Sequence, residues 1–265
     1  MQYQSFVTNV LEQAANIAKE QFGKVKTSTK TNDNNQVLTE TDLQVGELLV
    51  QKIQEKYPSF NIIDEEAGVI DHQSEFTWVI DPIDGTSNFA NGIPTYGILL
   101  GLLQNGNPLA GGMVLPSFDE IYYAEKNQGA YLNQQRIQVT KSDKLLDNLL
   151  AYGIDGHQEN PQLTIQECDL LAQIILKIRN LRTSNSAYDF AMVAKGAYGA
   201  YLNQTSKIWD NVAPQIIIEE AGGIYTDFKG QALDYSNPLT RVEQNFNMLA
   251  CASSLHQQIL EIIKN

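Results

Sequence analysis

Cysteine is scarce in this chain of 265 residues: Cys168 and Cys251 are the only two. Two cysteines build no disulfide framework, and the scarcity fits a reducing compartment. Histidine is nearly as rare, with His72, His157 and His256 alone, which leaves little from which to assemble a zinc site. Positive charge is short as well. The 18 Lys and Arg stand against 31 Asp and Glu, a formal net charge of −13, and that balance argues against nucleic acid or an anionic membrane as partner. No apolar run is long enough to span a bilayer, and the first residues lack the basic-then-apolar form of a secretion signal. Together these absences set a soluble, cytoplasmic protein as the expectation. The length suffices for one large domain or two smaller ones with a substantial core.

What the chain does have is concentrated in Trp78-Val79-Ile80-Asp81-Pro82-Ile83-Asp84-Gly85-Thr86-Ser87-Asn88-Phe89. Trp78, Val79 and Ile80 read as the end of a buried strand, and Pro82 bars a continuing ladder hydrogen bond. Asp81 and Asp84 therefore stand at a strand end, and Gly85 to Ser87 lead into a short helix beginning near Asn88. Carboxylates hold a hard cation through oxygen, and the open N–H groups of a helix start hold phosphate. A lone Asp-Pro-Ile-Asp string is more often only a polar turn after a strand. The longer combination points to a metal-dependent enzyme acting on a phosphate ester.

Hydrophobic periodicity predicts a first helix carrying Tyr3 to Ala18, stopped at Gly23, then a polar loop from Lys24 to Gln36 placed to close over a site. Thr39 or Thr41 caps a second helix with Val45, Leu48, Leu49 and Ile53 inward and Asp42 in its first turn. Strands expected near 60–63, 96–103, 109–115, 121–124, 129–133 and 137–139 make a mostly antiparallel sheet with helices on one face, an α+β half over 1–145. Beyond a polar link, strands near 149–153, 199–202, 224–226 and 247–250 alternate with helices. Those helices include an apolar run from Leu163 to Ile178, one from Trp209 to Glu220, and a last one capped by Ser253. Residues 146–265 therefore read as an α/β half, and the whole as α/β.

The stretch from Trp78 to Phe89 resembles the W-[VI]-[VI]-D-P-[IL]-D-G-T-x-N-F signature of the inositol monophosphatase family, the lithium-sensitive sugar phosphatases. Leu38 to Asp42, Asp64-Glu65-Glu66, and Trp209-Asp210 with Glu220-Ala221-Gly222-Gly223 resemble its other motifs in the same order. Asp64 stands where the family usually has Gly. The resemblance implies the layered αβαβα sugar-phosphatase fold, a site between the halves, and a homodimer. It implies Mg²⁺ as cofactor, roughly two or three ions, and inhibition by Li⁺. The implied ligands are Glu65, Asp81, the carbonyl of Ile83, Asp84 and Asp210, with Asp42 reaching a metal through water. Thr86 and Glu65 would orient the attacking water, N–H groups of Gly85 and Thr86 would hold phosphate oxygens, and phosphoryl transfer to water would be direct and in line.

Two further departures from the family pattern fall on the substrate side. The family's R-[ST]-x-G-[ST]-A reads Arg182-Thr183-Ser184-Asn185-Ser186-Ala187 here, with Asn185 for Gly and its side chain expected to intrude on the pocket. Seven residues before Asp210, where inositol-specific members carry an acid that binds ring hydroxyls, stands Asn203. Expected substrate contacts are Asp84, Gly85, Thr86, Asn185, Ser186, Ala187, Asn203 and Asp210. The expected substrate is a small phosphate ester resembling inositol monophosphate. Fructose bisphosphate, histidinol phosphate and nucleotide phosphates stay open, and a non-catalytic scaffold that retains the fold is the reading from another class.

Overall fold

The structure is a computed structural model that describes residues 1–24, 27–29 and 37–264. The chain begins with α1 (Gln4–Gln21), the two short strands β1 (Thr27–Thr29) and β2 (Val37–Thr39), and α2 (Glu40–Lys56). There follow β3 (Asn61–Asp64), β4 (Gly68–Ile70), β5 (Phe76–Asp84), α3 (Thr86–Ala90), β6 (Gly97–Gln104), β7 (Asn107–Leu115), β8 (Glu120–Glu125), β9 (Ala130–Leu132) and β10 (Gln135–Ile137). The remainder is β11 (Leu149–Gly153), α4 (Pro161–Ile175), β12 (Asn180–Arg182), α5 (Ala187–Ala194), β13 (Ala200–Ser206), α6 (Ile208–Glu220), β14 (Gly223–Thr226), β15 (Phe246–Ala252) and α7 (His256–Ile263).

Strands β3 to β10 form an eight-stranded sheet in the order β10-β9-β8-β7-β6-β5-β3-β4. Only the β3–β5 pair is parallel, because a loop and a returning strand separate the two in sequence. Strands β11 to β15 form a five-stranded sheet, β12-β11-β13-β15-β14, in which the first three are parallel. On α1, Val7, Val10, Leu11, Ala14 and Ala18 form one buried stripe, which with α2 covers the outer face of the large sheet. Helix α6 buries Ile208, Val212, Ala213, Ile216, Ile217 and Ile218. It reads as apolar all round because it lies between the two sheets, touching β5, β6, β7 and β8 on one side and β14 and β15 on the other. Helix α5 joins it in that layer, and α4 and α7 close the far side, which gives the expected αβαβα layering.

Several expectations need correction. Helices cover both faces of the large sheet, since α6 from the later half supplies the second cover. The helix expected over Leu163 to Ile178 is α4, which ends at Ile175; on it Leu163, Ile165 and Ile175 are exposed, and Leu176 beyond it is 82% exposed. The last helix starts at His256 with Leu255 at its N-cap, so Ser253 caps nothing. The expected loop at 24–36 includes β1, which pairs with β2. Residues 25–26 and 30–36 lie outside the described residues, and so does the closing role expected of them. Strands change sheet between Ile137 and Leu149, yet one buried cluster joins Leu99, Met113 and Tyr122 with Leu150, Ala200 and Leu249 across that divide. Among the described residues, no helix is long and apolar enough to cross a membrane.

Candidate active site

Strand β5 does not end at Ile80 but runs through Pro82 to Asp84. Asp81 pairs with Leu99 and Asp84 with Gly97, so three steps on β5 oppose two on β6. This is a bulge, and it has a consequence for the acids. Residues three apart on a regular strand face opposite ways. The extra residue returns Asp84 to the side of Asp81, and both line one cavity of about 260 Å³. Proline is tolerated here because a bulge already breaks the ladder.

Glu65 reaches the same cavity from the end of β3. Its N–H bonds the carbonyl of Ile80 at 3.2 Å. Asp64 shapes the turn that follows: its Oδ1 accepts the N–H groups of Glu66 (2.8 Å) and Ala67 (2.7 Å). The family's permissive Gly is thus replaced by a carboxylate that builds an Asx turn. Asp210 enters from the first turn of α6, where it accepts the N–H of Lys207 at 2.7 Å in a capping arrangement. Gly85, at φ +92°, forms the N-cap of α3, and a Cβ there would lie 2.7 Å from Cβ of Ser186. Position 85 therefore excludes any side chain on two counts.

Thr86 lies on the cavity wall. Its hydroxyl is 2.8 Å from the carbonyl of Ile83 and 3.1 Å from Oδ1 of Asp42. Asp42 also accepts the N–H of Thr39 at 2.9 Å and bonds the Thr39 hydroxyl, the capping box of α2. Burial raises the Asp42 pKa, partly offset by these bonds to Thr39 and Thr86.

The cavity's electrostatics are unfavourable as they stand. Desolvation raises the pKa of Asp81 well above the usual carboxylate range, reinforced by the charges of Glu65, Asp84 and Asp210. Asp84 is raised well above it too, by desolvation and then by Asp210 and Glu65, although the N–H of Ala187 at the start of α5 partly offsets this. Asp210 is pushed up to about 6 by burial and shares a hydrogen bond with Asp81. Oδ1 of Asp81 is buried without a partner. An orphaned buried carboxylate oxygen among three further acids is what a hard cation relieves. The acids are not drawn into a closed ligand group: among the described residues, no three or more His, Cys, Asp or Glu meet as a ready-formed cation site. The four acids all line the one cavity. Their donor set is all oxygen and fits Mg²⁺.

The structure therefore brings Glu65, Asp81, Ile83, Asp84, Gly85, Thr86, Asn185 and Asp210 to one cavity. Asp42, Ser186, Ala187 and Asn203 sit behind its wall. Ser186 donates to the carbonyl of Thr95 at 2.9 Å, and Asn203 donates to Oδ1 of Asn185 at 3.0 Å. The Asn185 carboxamide does not simply project into the pocket, as expected of it. It is turned onto Asp155, Tyr201 and Asn203, at the left-handed φ of +51°. Sequence reasoning missed Thr205 and Lys207, which line the cavity, and Asp155 behind them. Only the strand pairing brings them together: Gly153 of β11 pairs with Asn203 of β13, and Asp155 and Thr205 each follow by two residues.

A family model described as "Inositol monophosphatase family" matches residues 2–265. A protein of Aquifex aeolicus named fructose-1,6-bisphosphatase/inositol-1-monophosphatase is 30% identical over 250 residues, covering 94% of this chain and 90% of its own. One of Xylella fastidiosa named Nus factor SuhB is 32% identical over 193 residues, covering 72% and 69%. A solved IMPase of Thermotoga maritima superposes with a TM-score of 0.87 at 26% identity, covering 100% of this chain and 97% of its own.

Proposed function

This chain belongs to the inositol monophosphatase family, and from that premise we propose that it is a Mg²⁺-dependent phosphomonoesterase acting on a small phosphate ester. One observation carries the reading: four acids that repel one another, Glu65, Asp81, Asp84 and Asp210, line one cavity beside the Gly85–Thr86 start of α3. These carboxylates and the Ile83 carbonyl would hold Mg²⁺, which when bound would supply Lewis acidity and lower the pKa of water. The chain's own residues do the rest. Thr86, held against Asp42, orients the attacking water together with Glu65, and N–H groups of Gly85 and Thr86 hold the phosphate oxygens. Asp84 accepts the N–H of Ala187, which ties the end of β5 to the start of α5.

The free cysteines support a reducing, cytoplasmic location. The exposed apolar residues of α4 support a homodimer, which sedimentation would test. The division at 145/146 is likewise a proposal, for limited proteolysis to test. The decisive experiment is phosphate release from inositol 1-phosphate, sugar phosphates, fructose 1,6-bisphosphate, histidinol phosphate and an adenosine bisphosphate, with and without Mg²⁺ and with added Li⁺. Mg²⁺-dependent, Li⁺-sensitive release supports the proposal. Mg²⁺ binding with no release from any ester favours the second reading, a non-catalytic scaffold, to which the relative named Nus factor SuhB lends support.

A further inference from the structure

On the substrate side of the cavity, one polar network is oriented by a single carboxylate, which accepts from both Asn185 and Thr205. Asp155, two residues beyond β11, is half-buried behind Asn185 and Thr205. Its Oδ1 accepts from Nδ2 of Asn185 at 3.0 Å, and its Oδ2 accepts from the Thr205 hydroxyl at 2.7 Å. An ionised carboxylate only accepts. The orientation of the Asn185 amide is therefore fixed, and its Oδ1 must face the donors Nδ2 of Asn203 (3.0 Å) and the Tyr201 hydroxyl (3.4 Å). The other end is fixed as well, because Oδ1 of Asn203 accepts the backbone N–H of Thr205 at 2.7 Å. With a carboxylate at one end and a backbone N–H at the other, the directions of all these bonds follow.

The Thr205 hydroxyl proton is thus drawn back to Asp155, and Oγ1 meets the cavity with its lone pairs. The cation of this wall does not reverse that polarity: Nζ of Lys207 is turned to the carbonyl of Glu243 at 2.9 Å. Gly153 makes the arrangement possible, since a Cβ there would lie 2.2 Å from Oδ1 of Asn185 and 2.5 Å from Nδ2 of Asn203.

We propose that Asp155 is a specificity-determining positioning residue, which polarises the Asn185–Thr205 wall so that it accepts hydrogen bonds from the hydroxyls of a neutral polyol and disfavours a second anionic group. The inference rests on the phosphomonoesterase reading and adds the class of alcohol it takes: a polyhydroxylated monophosphate rather than a bisphosphate. An acceptor oxygen at Thr205, fixed by Asp155, rewards a hydroxyl donor and disfavours a phosphate oxygen.

The test uses the full chain with Mg²⁺ and three esters: inositol 1-phosphate, fructose 1,6-bisphosphate, and 4-nitrophenyl phosphate, which has no hydroxyls. Asp155→Asn keeps the size but can donate, which frees Thr205 to turn its proton to the cavity. Asp155→Ser is the second, smaller variant, and melting curves establish that each is folded. Expected for the wild type is a higher kcat/KM with inositol 1-phosphate than with the bisphosphate. In either variant kcat/KM for inositol 1-phosphate falls about tenfold, mainly through KM, while 4-nitrophenyl phosphate moves less than about twofold. Equal losses on the hydroxyl-free and the polyol ester would mean a merely structural role and overturn the proposal. An unchanged KM for inositol 1-phosphate overturns it too, as does a wild-type preference for the bisphosphate. A wild type that hydrolyses none of the three overturns the phosphatase reading first and this inference with it.

Discussion

The acid wall and the polyol wall of the cavity are both rich in oxygen, and they are satisfied in opposite ways. On the acid wall, Asp81 keeps a buried oxygen without a partner and the pKa values of Asp81, Asp84 and Asp210 are all raised. On the polyol wall, Asp155, Asn185, Asn203 and Thr205 close their hydrogen bonds among themselves. The first is high in energy until something charged completes it. The second is complete in advance and can only be matched. The proposed catalytic centre and the proposed recognition surface, similar in composition, are thus told apart by what they leave unpaired.

The largest expected effect comes from breaking the acid wall. Asp84→Asn should cut phosphate release by roughly a thousandfold, on the scale of losing one electrostatic group of an active centre. Its metal-free melting temperature should hold or rise, because one repelling charge is gone. Near-normal turnover in that variant would remove Asp84 from the metal site.

Next is the dependence on pH and metal. Asp189 and Asp210 are pushed up to about 6, chiefly by burial. A folded pKa raised above the unfolded value of about 3.9 means that stability is fully present below the unfolded value and is lost as pH rises through the folded one. The metal-free protein should therefore melt higher near about pH 5 than near about pH 7.5. Excess Mg²⁺ should reverse that order, since protons and the cation compete for the same oxygens. Calorimetry with and without chelator reads both signs, and a metal-free curve that rises with pH would contradict the burial of these acids.

Smaller is Asp42→Ala, which removes the capping box of α2 and the acceptor held near Thr86. About 1–2 kcal/mol of stability should go, and turnover should fall with it, whereas Thr39→Ala should affect mainly stability. Smaller again is Asp189→Asn. Asp189 accepts the N–H groups of Ser184 (3.0 Å) and Asn185 (2.8 Å), so it anchors the polyol wall from below. The variant should flatten the metal-free pH slope by on the order of 1 kcal/mol and leave the Mg²⁺ response in place. Ser253→Ala, remote from both walls, should stay within about 0.5 kcal/mol by chemical denaturation.

Much of the acid wall was legible because its residues are local in sequence: Asp81, Asp84, Gly85 and Thr86 fall within six positions. Even there the shape was not. Pro82 read as the end of a strand, and only the pairing with β6 reveals a bulge that carries the strand on. The long, periodic elements were legible for the same local reason, whereas β4 and β12 are three-residue strands defined by distant partners. On α4, periodicity announced an apolar face but could not say whether anything covers it. The polyol wall was illegible piece by piece. Asp155, Asn185 and Thr205 come from three segments, and nothing in the spacing of Asp155 from Thr205 marks them as partners until β11 is known to lie beside β13.

The missing side chain at position 153 imposes an order on how this pocket can drift. Any larger residue there collides with the paired amides of Asn185 and Asn203. Those two must shrink or move before position 153 is free to vary. Asp155 is under no such restraint, being half-buried and bonded only through its oxygens. A lineage or a mutant library that changes its preferred ester should therefore accumulate its first replacements at 155, later ones at 185 and 203, and none at 153 until those are in place.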